Sequence, residues 1–180
     1  MRSANLSPRP WVPQLGLCLA LVAAGAAAAQ TCKYGSIPAT APASRFTDNG
    51  DGTVTDRATG LQWQRCSEGQ TWSSGTCTGT ATGHTWQVAL QLAEAASYAG
   101  QSDWRLPNIN ELASIVEQAC YSPAIDLAVF PGTPSSVFWS ASPAAYGTDV
   151  AFYMDFSNGS DGRYGKKSSG YQVRLVRGGQ

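Results

Sequence analysis

Within Asp48–Asp56 the sequence reads DNGDGTVTD, with four acidic or amide side chains and two glycines. Oxygen-bearing side chains around glycines are the composition of a calcium loop. An EF-hand loop takes oxygen ligands at its first, third, fifth and twelfth positions and glycine at its sixth. With Gly52 sixth, Thr47, Asn49 and Asp51 fall at oxygen positions, but Ala58 stands twelfth and has no carboxylate. The EF-hand therefore fails. Asp48, Asn49 and Asp51 are left as candidate oxygens of a looser cation site. The competing reading is turn chemistry, because Asn49-Gly50 and Asp51-Gly52 supply the positive-φ positions of a tight hairpin. That reading is preferred, and no metal or other cofactor is expected.

Five cysteines and one histidine bound the covalent chemistry. Cys18 lies in an apolar leader. Cys32, Cys66, Cys77 and Cys120 remain, an even number in a chain that reads as exported, so two disulfides are expected. Four cysteines allow three pairings. Cys66 and Cys77 are close and flank a Gly/Ser/Thr-rich stretch, so they are paired, and Cys32 with Cys120 then ties the N-terminal arm to the body. Zinc would want C-x-x-C spacing or a nearby histidine, and only His84 is available. A Ser-His-Asp site would have to use His84 without a G-x-S-x-G elbow. No spacing singles out a pair of carboxylates. The expectation is a protein without catalytic residues.

The segment Arg163-Tyr164-Gly165-Lys166-Lys167-Ser168-Ser169-Gly170-Tyr171 gathers three positive charges and two aromatic rings in what reads as a Gly/Ser loop. Cations beside aromatic faces suit an acidic polysaccharide, through charge and stacking on sugar rings. The competing reading is a solvated loop before the last strand. Arg163, Tyr164, Lys166, Lys167 and Tyr171 are thus the candidate ligand-binding residues. Asp103-Trp104-Arg105-Leu106-Pro107 reads mainly as architecture, with Trp104 and Leu106 alternating into a core. For Arg174 and Arg177, pairing with acids such as Asp103 or Asp155 competes with ligand contact.

These residues need elements to position them. Arg2 and Arg9 precede the apolar run Leu15–Ala29, which ends in Ala27-Ala28-Ala29 before Gln30. That is the layout of a secretory signal peptide over 1–29, and the run is short for a membrane span of about 20 residues. Neither Cys18 nor Cys32 follows the small residues that a lipoprotein anchor needs. An exported chain is expected, periplasmic or extracellular, with no membrane span. Without Arg2 and Arg9, ten Lys/Arg face twelve Asp/Glu, a formal −2 that argues against nucleic acid. Residues 30–44, Pro/Ala/Ser-rich over 35–44, read as an extended arm, and the single folded domain runs over 45–180.

In that domain a first hairpin surrounds the acidic turn, and a short strand follows at Leu61–Gln64. Thr85 caps a helix reaching about Tyr98, with Val88, Leu92, Ala95 and Ala99 as its apolar face. Asn108 and Glu111 stand in capping-box spacing at the start of a second helix, whose buried stripe is Leu112, Ile115, Val116 and Ala119. Strands are predicted at Val137–Ser140, Val150–Phe156 and Tyr171–Val176, with a turn at Ser157–Gly162. The sum is an α+β domain whose terminal strands are able to pair.

Several ordered blocks resemble a known family. They are Phe46–Asp56 with Thr59-Gly60-Leu61-Gln62-Trp63; Asp103–Asn108 with Glu111-Leu112; Phe138–Ser142; and Val173–Arg177. Together, from about Arg45 to Gln180, they resemble the Lcl C-terminal-domain family, known from the end of a collagen-like adhesin of Legionella. The resemblance implies a C-type-lectin-like fold shared with the sulfatase-modifying enzymes, in which two helices flank a small irregular antiparallel sheet, here stapled by disulfides. The adhesin relative binds sulfated glycosaminoglycans, which implies extracellular polysaccharide recognition. This chain lacks the Gly-x-y repeats of a trimeric collagen stalk. It also lacks the Glu-Pro-Asn, Gln-Pro-Asp and Trp-Asn-Asp triplets of calcium-dependent lectins, since Leu106 precedes Pro107-Asn108. The reading is a secreted binding module for polysaccharide, including acidic glycans, or for a cell-surface partner at the bacterial envelope. The alternatives are an enzyme of the sulfatase-modifying type, a hydrolase, or a structural envelope protein.

Overall fold

The computed structural model describes Met1 and residues 29–178. The signal-peptide expectation for 1–29 lies almost wholly outside the described residues. The chain enters through β1 (Thr31–Cys32), crosses a 3-10 turn at Ala43–Arg45, and forms a hairpin from β2 (Phe46–Asp48) and β3 (Thr53–Asp56). Its turn is built as the sequence dictates. Asp48 Oδ1 accepts the Gly50 N–H at 2.9 Å, Asp51 Oδ1 accepts the Thr53 N–H at 3.0 Å, and Gly50 and Gly52 take φ of 81° and 88°. Next come β4 (Gln62–Gln64) and a small hairpin of β5 (Thr71–Ser73) and β6 (Thr76–Thr78).

Helix α1 spans Trp86–Ala95, with the Thr85 side chain accepting the Val88 N–H as its cap. It stops short of the expected Tyr98, because the chain turns out into a Tyr98–Gln101 bridge and Trp104 Nε1 donates to the Tyr98 carbonyl at 3.0 Å. Its buried face is Ala89 and Ala93, flanked by half-buried Trp86 and Leu90, while Val88 is exposed. The expected face of Val88, Leu92, Ala95 and Ala99 was rotated from the true one. The helix packs with Trp104, Trp139 and Leu175 in one cluster, through the buried methyls of Ala89 and Ala93 with Trp86 and Leu90 packed beside them. Helix α2 is short, Ile109–Ser114, and carries the full Asn108/Glu111 capping box. Leu112, Ile115, Val116 and Ala119 are all buried as expected, although the last three lie beyond the helix end.

The second half adds β7 (Cys120–Tyr121), β8 (Val137–Pro143), β9 (Val150–Asp155), β10 (Ser160–Lys166) and β11 (Val176–Arg177). All strand pairs are antiparallel, in the orders β1-β7, β5-β6, β10-β9-β8 and β11-β4-β3-β2. The last order joins the C-terminal strand to the first hairpin. Val54 sits opposite Trp63, and Trp63 opposite Val176, so one row of buried side chains crosses three strands. The predicted strand over Tyr171–Val176 shrinks to isolated bridges at Tyr171 and Gln172 followed by β11. Every side chain from Val173 to Val176 is buried, so this segment runs through the interior instead of along one sheet face.

The outcome is mostly β, with two short helices, several small antiparallel sheets and two disulfides, Cys32–Cys120 and Cys66–Cys77, both as paired from the sequence. Among the described residues no helix is long and apolar enough to cross a membrane. The N-terminal arm is docked on the body. Buried Glu117 accepts the N–H groups of Thr40, Ala41 and Ala119 at 3.0–3.1 Å. Gln30 Nε2 donates to the carbonyls of Pro123 and Ile125 at 2.7 and 2.6 Å.

Candidate ligand-binding surface

Arg163, Tyr164 and Lys166 lie on β10, which the sequence reading had placed in a loop. The glycines that suggested a loop serve a strand instead. A Cβ at Gly165 would meet Trp139 Cζ3 at 2.7 Å and Tyr153 Cδ1 at 2.9 Å, and one at Gly162 would collide with the Tyr153 ring. These two rings therefore lie flat against the inner face of β10. The register shifts between Gly162 and Gly165, and Arg163, Tyr164 and Lys166 are exposed on the outside. The Tyr164 ring, 68% exposed, stands 6.1 Å from that of Tyr146, 71% exposed, which rises from the β8–β9 connection. Two exposed tyrosines in contact form an apolar platform with wet edges.

Lys167 follows directly and is held through both its backbone and its side chain. Its N–H donates to the Asp149 carbonyl at 2.8 Å, and its own carbonyl accepts the Trp86 N–H at 2.9 Å. Its Nζ donates to the Thr148 carbonyl at 2.7 Å and stands 4.3 Å over the Trp86 ring. One residue thus ties the end of β10 to the β8–β9 connection and to the start of α1. It also lines two shallow depressions. One, of about 460 Å³, is walled by Thr85, Trp86, Gln87, Leu90 and Ser168. The other, of about 410 Å³, is walled by Pro143 to Thr148, with Tyr146 among them.

Of the five residues expected at the site, four reach this surface. Tyr171 does not, because its half-buried ring packs against the second buried cluster, 4.2 Å from Trp139 and 5.5 Å from Tyr153. Sequence reasoning missed Tyr146 and Trp86. An aromatic beside glycine in Ala144-Ala145-Tyr146-Gly147 was the available signal for the first; Trp86 reads only as the first residue of a capped helix. Asp149 and Asp161 also lie exposed on these segments, so three cations face two carboxylates and the local charge is a modest +1.

The other candidate residues have structural partners. Asp48 Oδ2 accepts from Arg65 at 2.6 Å, Asp51 Oδ1 from Thr53 Oγ1 at 2.6 Å, and Asn49 Nδ2 donates to Thr53 and Thr55 hydroxyls. Among the described residues no group of three or more His, Cys, Asp or Glu is placed to hold a metal. His84 Nε2 shares a hydrogen bond of 2.9 Å with Thr82 Oγ1. Arg177 pairs with Asp103 at 2.6 Å, whereas Arg174 meets no acid. A cleft of about 530 Å³ between α1 and α2 is walled by a closed ion pair, in which Arg105 binds Glu111 through both guanidinium nitrogens at 2.8 and 2.6 Å. Burial pushes the Glu111 carboxyl up, but Arg105 and the Asn108 N–H outweigh it and hold it below its ordinary value.

No curated protein matches the chain. The profile of the Lcl C-terminal domain matches residues 52–177, from the second glycine of the acidic turn to the last strand, and the chain belongs to that family.

Proposed function

We propose that this chain is an exported, non-catalytic binding module of the C-type-lectin-like kind that recognises extracellular polysaccharide through the β10 edge. The observation that carries this reading is the exposed Tyr146–Tyr164 pair beside Lys166 and Lys167. Aromatic faces stack on the C–H faces of sugar rings, and ammonium groups donate to hydroxyls and carboxylates. Two disulfides support export, since such bonds persist in oxidising compartments. They also engage all four cysteines of the described residues, which speaks against thiol chemistry of the sulfatase-modifying type.

The test is a glycan array of neutral, carboxylated and sulfated sugars at low salt, with Tyr164→Ala and the double variant Lys166→Ala/Lys167→Ala alongside. The parent protein binds a subset of the glycans, and each variant weakens that binding by about tenfold, or 1.4 kcal/mol. Absence of binding to every glycan defeats the reading.

A further inference from the structure

We infer that the occupant of this surface is an extended uronic-acid chain, several sugars long, laid across Lys167 with one carboxylate on its ammonium and a sugar ring in each flanking depression. The inference rests on the polysaccharide reading above and adds the ligand's length and charge type.

Length follows from the shared wall. Lys167 lines both depressions, so a ligand filling both must pass over it. Each depression is near the lower end of the range for small-ligand sites, about 300–1,000 Å³, and holds only a short piece of a chain. Each also offers an aromatic ring, Trp86 in one and Tyr146 in the other.

Charge type follows from counting donors. An ammonium has three N–H groups. That of Lys167 gives one to the Thr148 carbonyl and lies against the Trp86 face, so one direction stays open toward a ligand. Backbone bonds to Asp149 and Trp86 hold the residue in place before binding, so little ordering cost remains. Lys166 is exposed and carries no ion pair among the described residues. With Asp149 beside Lys167 and Asp161 at the other end of β10, a densely sulfated chain would place anions against carboxylates. A chain with one carboxylate per sugar matches the single fixed ammonium and the modest surrounding charge.

The experiment measures affinity by calorimetry for oligogalacturonates of two to eight sugars, heparin-derived oligosaccharides of matched length, and an oligothymidylate. The full mature chain is used, with Tyr146→Ala and Lys167→Gln variants checked for unchanged circular dichroism. Affinity for oligogalacturonate rises at least tenfold from two sugars to six and then levels off. Tyr146→Ala removes that rise, and Lys167→Gln weakens every length. Equal affinity for two and six sugars overturns the two-depression chain while the polysaccharide reading stands. Heparin oligosaccharides binding more than tenfold tighter at near-physiological salt overturn the uronate assignment. Equally tight oligothymidylate overturns a glycan as the occupant, and no binding to any of these acidic oligosaccharides overturns the uronic-acid chain, while the polysaccharide reading falls only if the glycan array with its neutral sugars is also blank.

Discussion

The guanidinium of Arg174, fully buried, donates from Nη2 to Thr133 Oγ1 at 2.6 Å, and none of the four ion pairs among the described residues includes it. The sequence had left an acid and a ligand as competing partners. Neutral oxygens take that place: the carbonyls of Gln64 and Arg65, and the hydroxyls of Ser67 and Thr133. The Phe130 and Phe138 rings lie 4.8 and 5.9 Å from its centre. Burial pushes its pKa down to about 9, which leaves it charged at neutral pH. The cation works as a bracket that ties β4, the segment after it and the loop before β8 to the final segment.

Arg174→Lys keeps the charge but loses the planar fork, so a single ammonium cannot span all four oxygens. Each buried oxygen left unpaired costs about 1–3 kcal/mol. A loss of about 2–4 kcal/mol is expected, measured as a shift in the urea midpoint. An unchanged midpoint would show that the oxygens find other donors.

Acid should loosen the first hairpin through Asp56. Burial raises its carboxyl, but hydrogen bonds from Arg45, Thr59 and the Ala58 N–H, together with the Arg45 charge, prevail and hold it below its ordinary 3.8. A depressed folded value means stability that is fully present above pH 3.8 and is lost as pH falls through the folded value. Asp56→Asn should cost about 3 kcal/mol at neutral pH and flatten the acid limb of a stability profile below that point. An identical acid limb in the variant would assign the titration elsewhere.

Gly52→Ala tests the reading of the acidic turn as backbone chemistry. The residue sits at φ of 88°, and an added methyl would meet Trp72 Cγ at 2.7 Å and the Tyr98 hydroxyl. The left-handed backbone alone costs about 1–2 kcal/mol, with the crowding added. The melting temperature should drop by several degrees, while added calcium should shift neither protein. A calcium-dependent rise in the parent would restore the cation site at Asp48, Asn49 and Asp51.

The two disulfides close loops of different length, with sequence separations of 88 and 11 residues. Chain entropy assigns about 4.6 kcal/mol to the longer and about 2.8 kcal/mol to the shorter. Paired serine variants should follow that order in denaturant unfolding. The reverse order would mean that the Glu117 and Gln30 contacts hold the arm without its bond.

Local rules were legible where local chemistry decides. The Asx turns of Asp48 and Asp51, the Thr85 cap and the Asn108/Glu111 box were all written in adjacent residues. The composition of the candidate surface was only partly legible. Charge and aromatics marked Arg163, Tyr164, Lys166 and Lys167, but neither Tyr146 nor Trp86 is near them in sequence. β10 was hidden because its inward positions are glycines, and strand alternation cannot be read where the buried side chains belong to Trp139 and Tyr153 of neighbouring strands. The α1 face was misplaced because its fully buried positions are the alanines Ala89 and Ala93, whose small side chains give a weaker periodic signal than Val88 and Leu92.

Among the described residues β10 ends its sheet, so one row of its backbone groups has no strand beside it. An open edge is a template for another chain, and charged side chains are a common guard against it. Arg163 and Lys166 stand exposed on that strand, where like charge opposes pairing with the same edge of a second copy. Neutralising them tests recognition and solubility at once, and a variant that loses sugar binding must also be shown to remain dispersed.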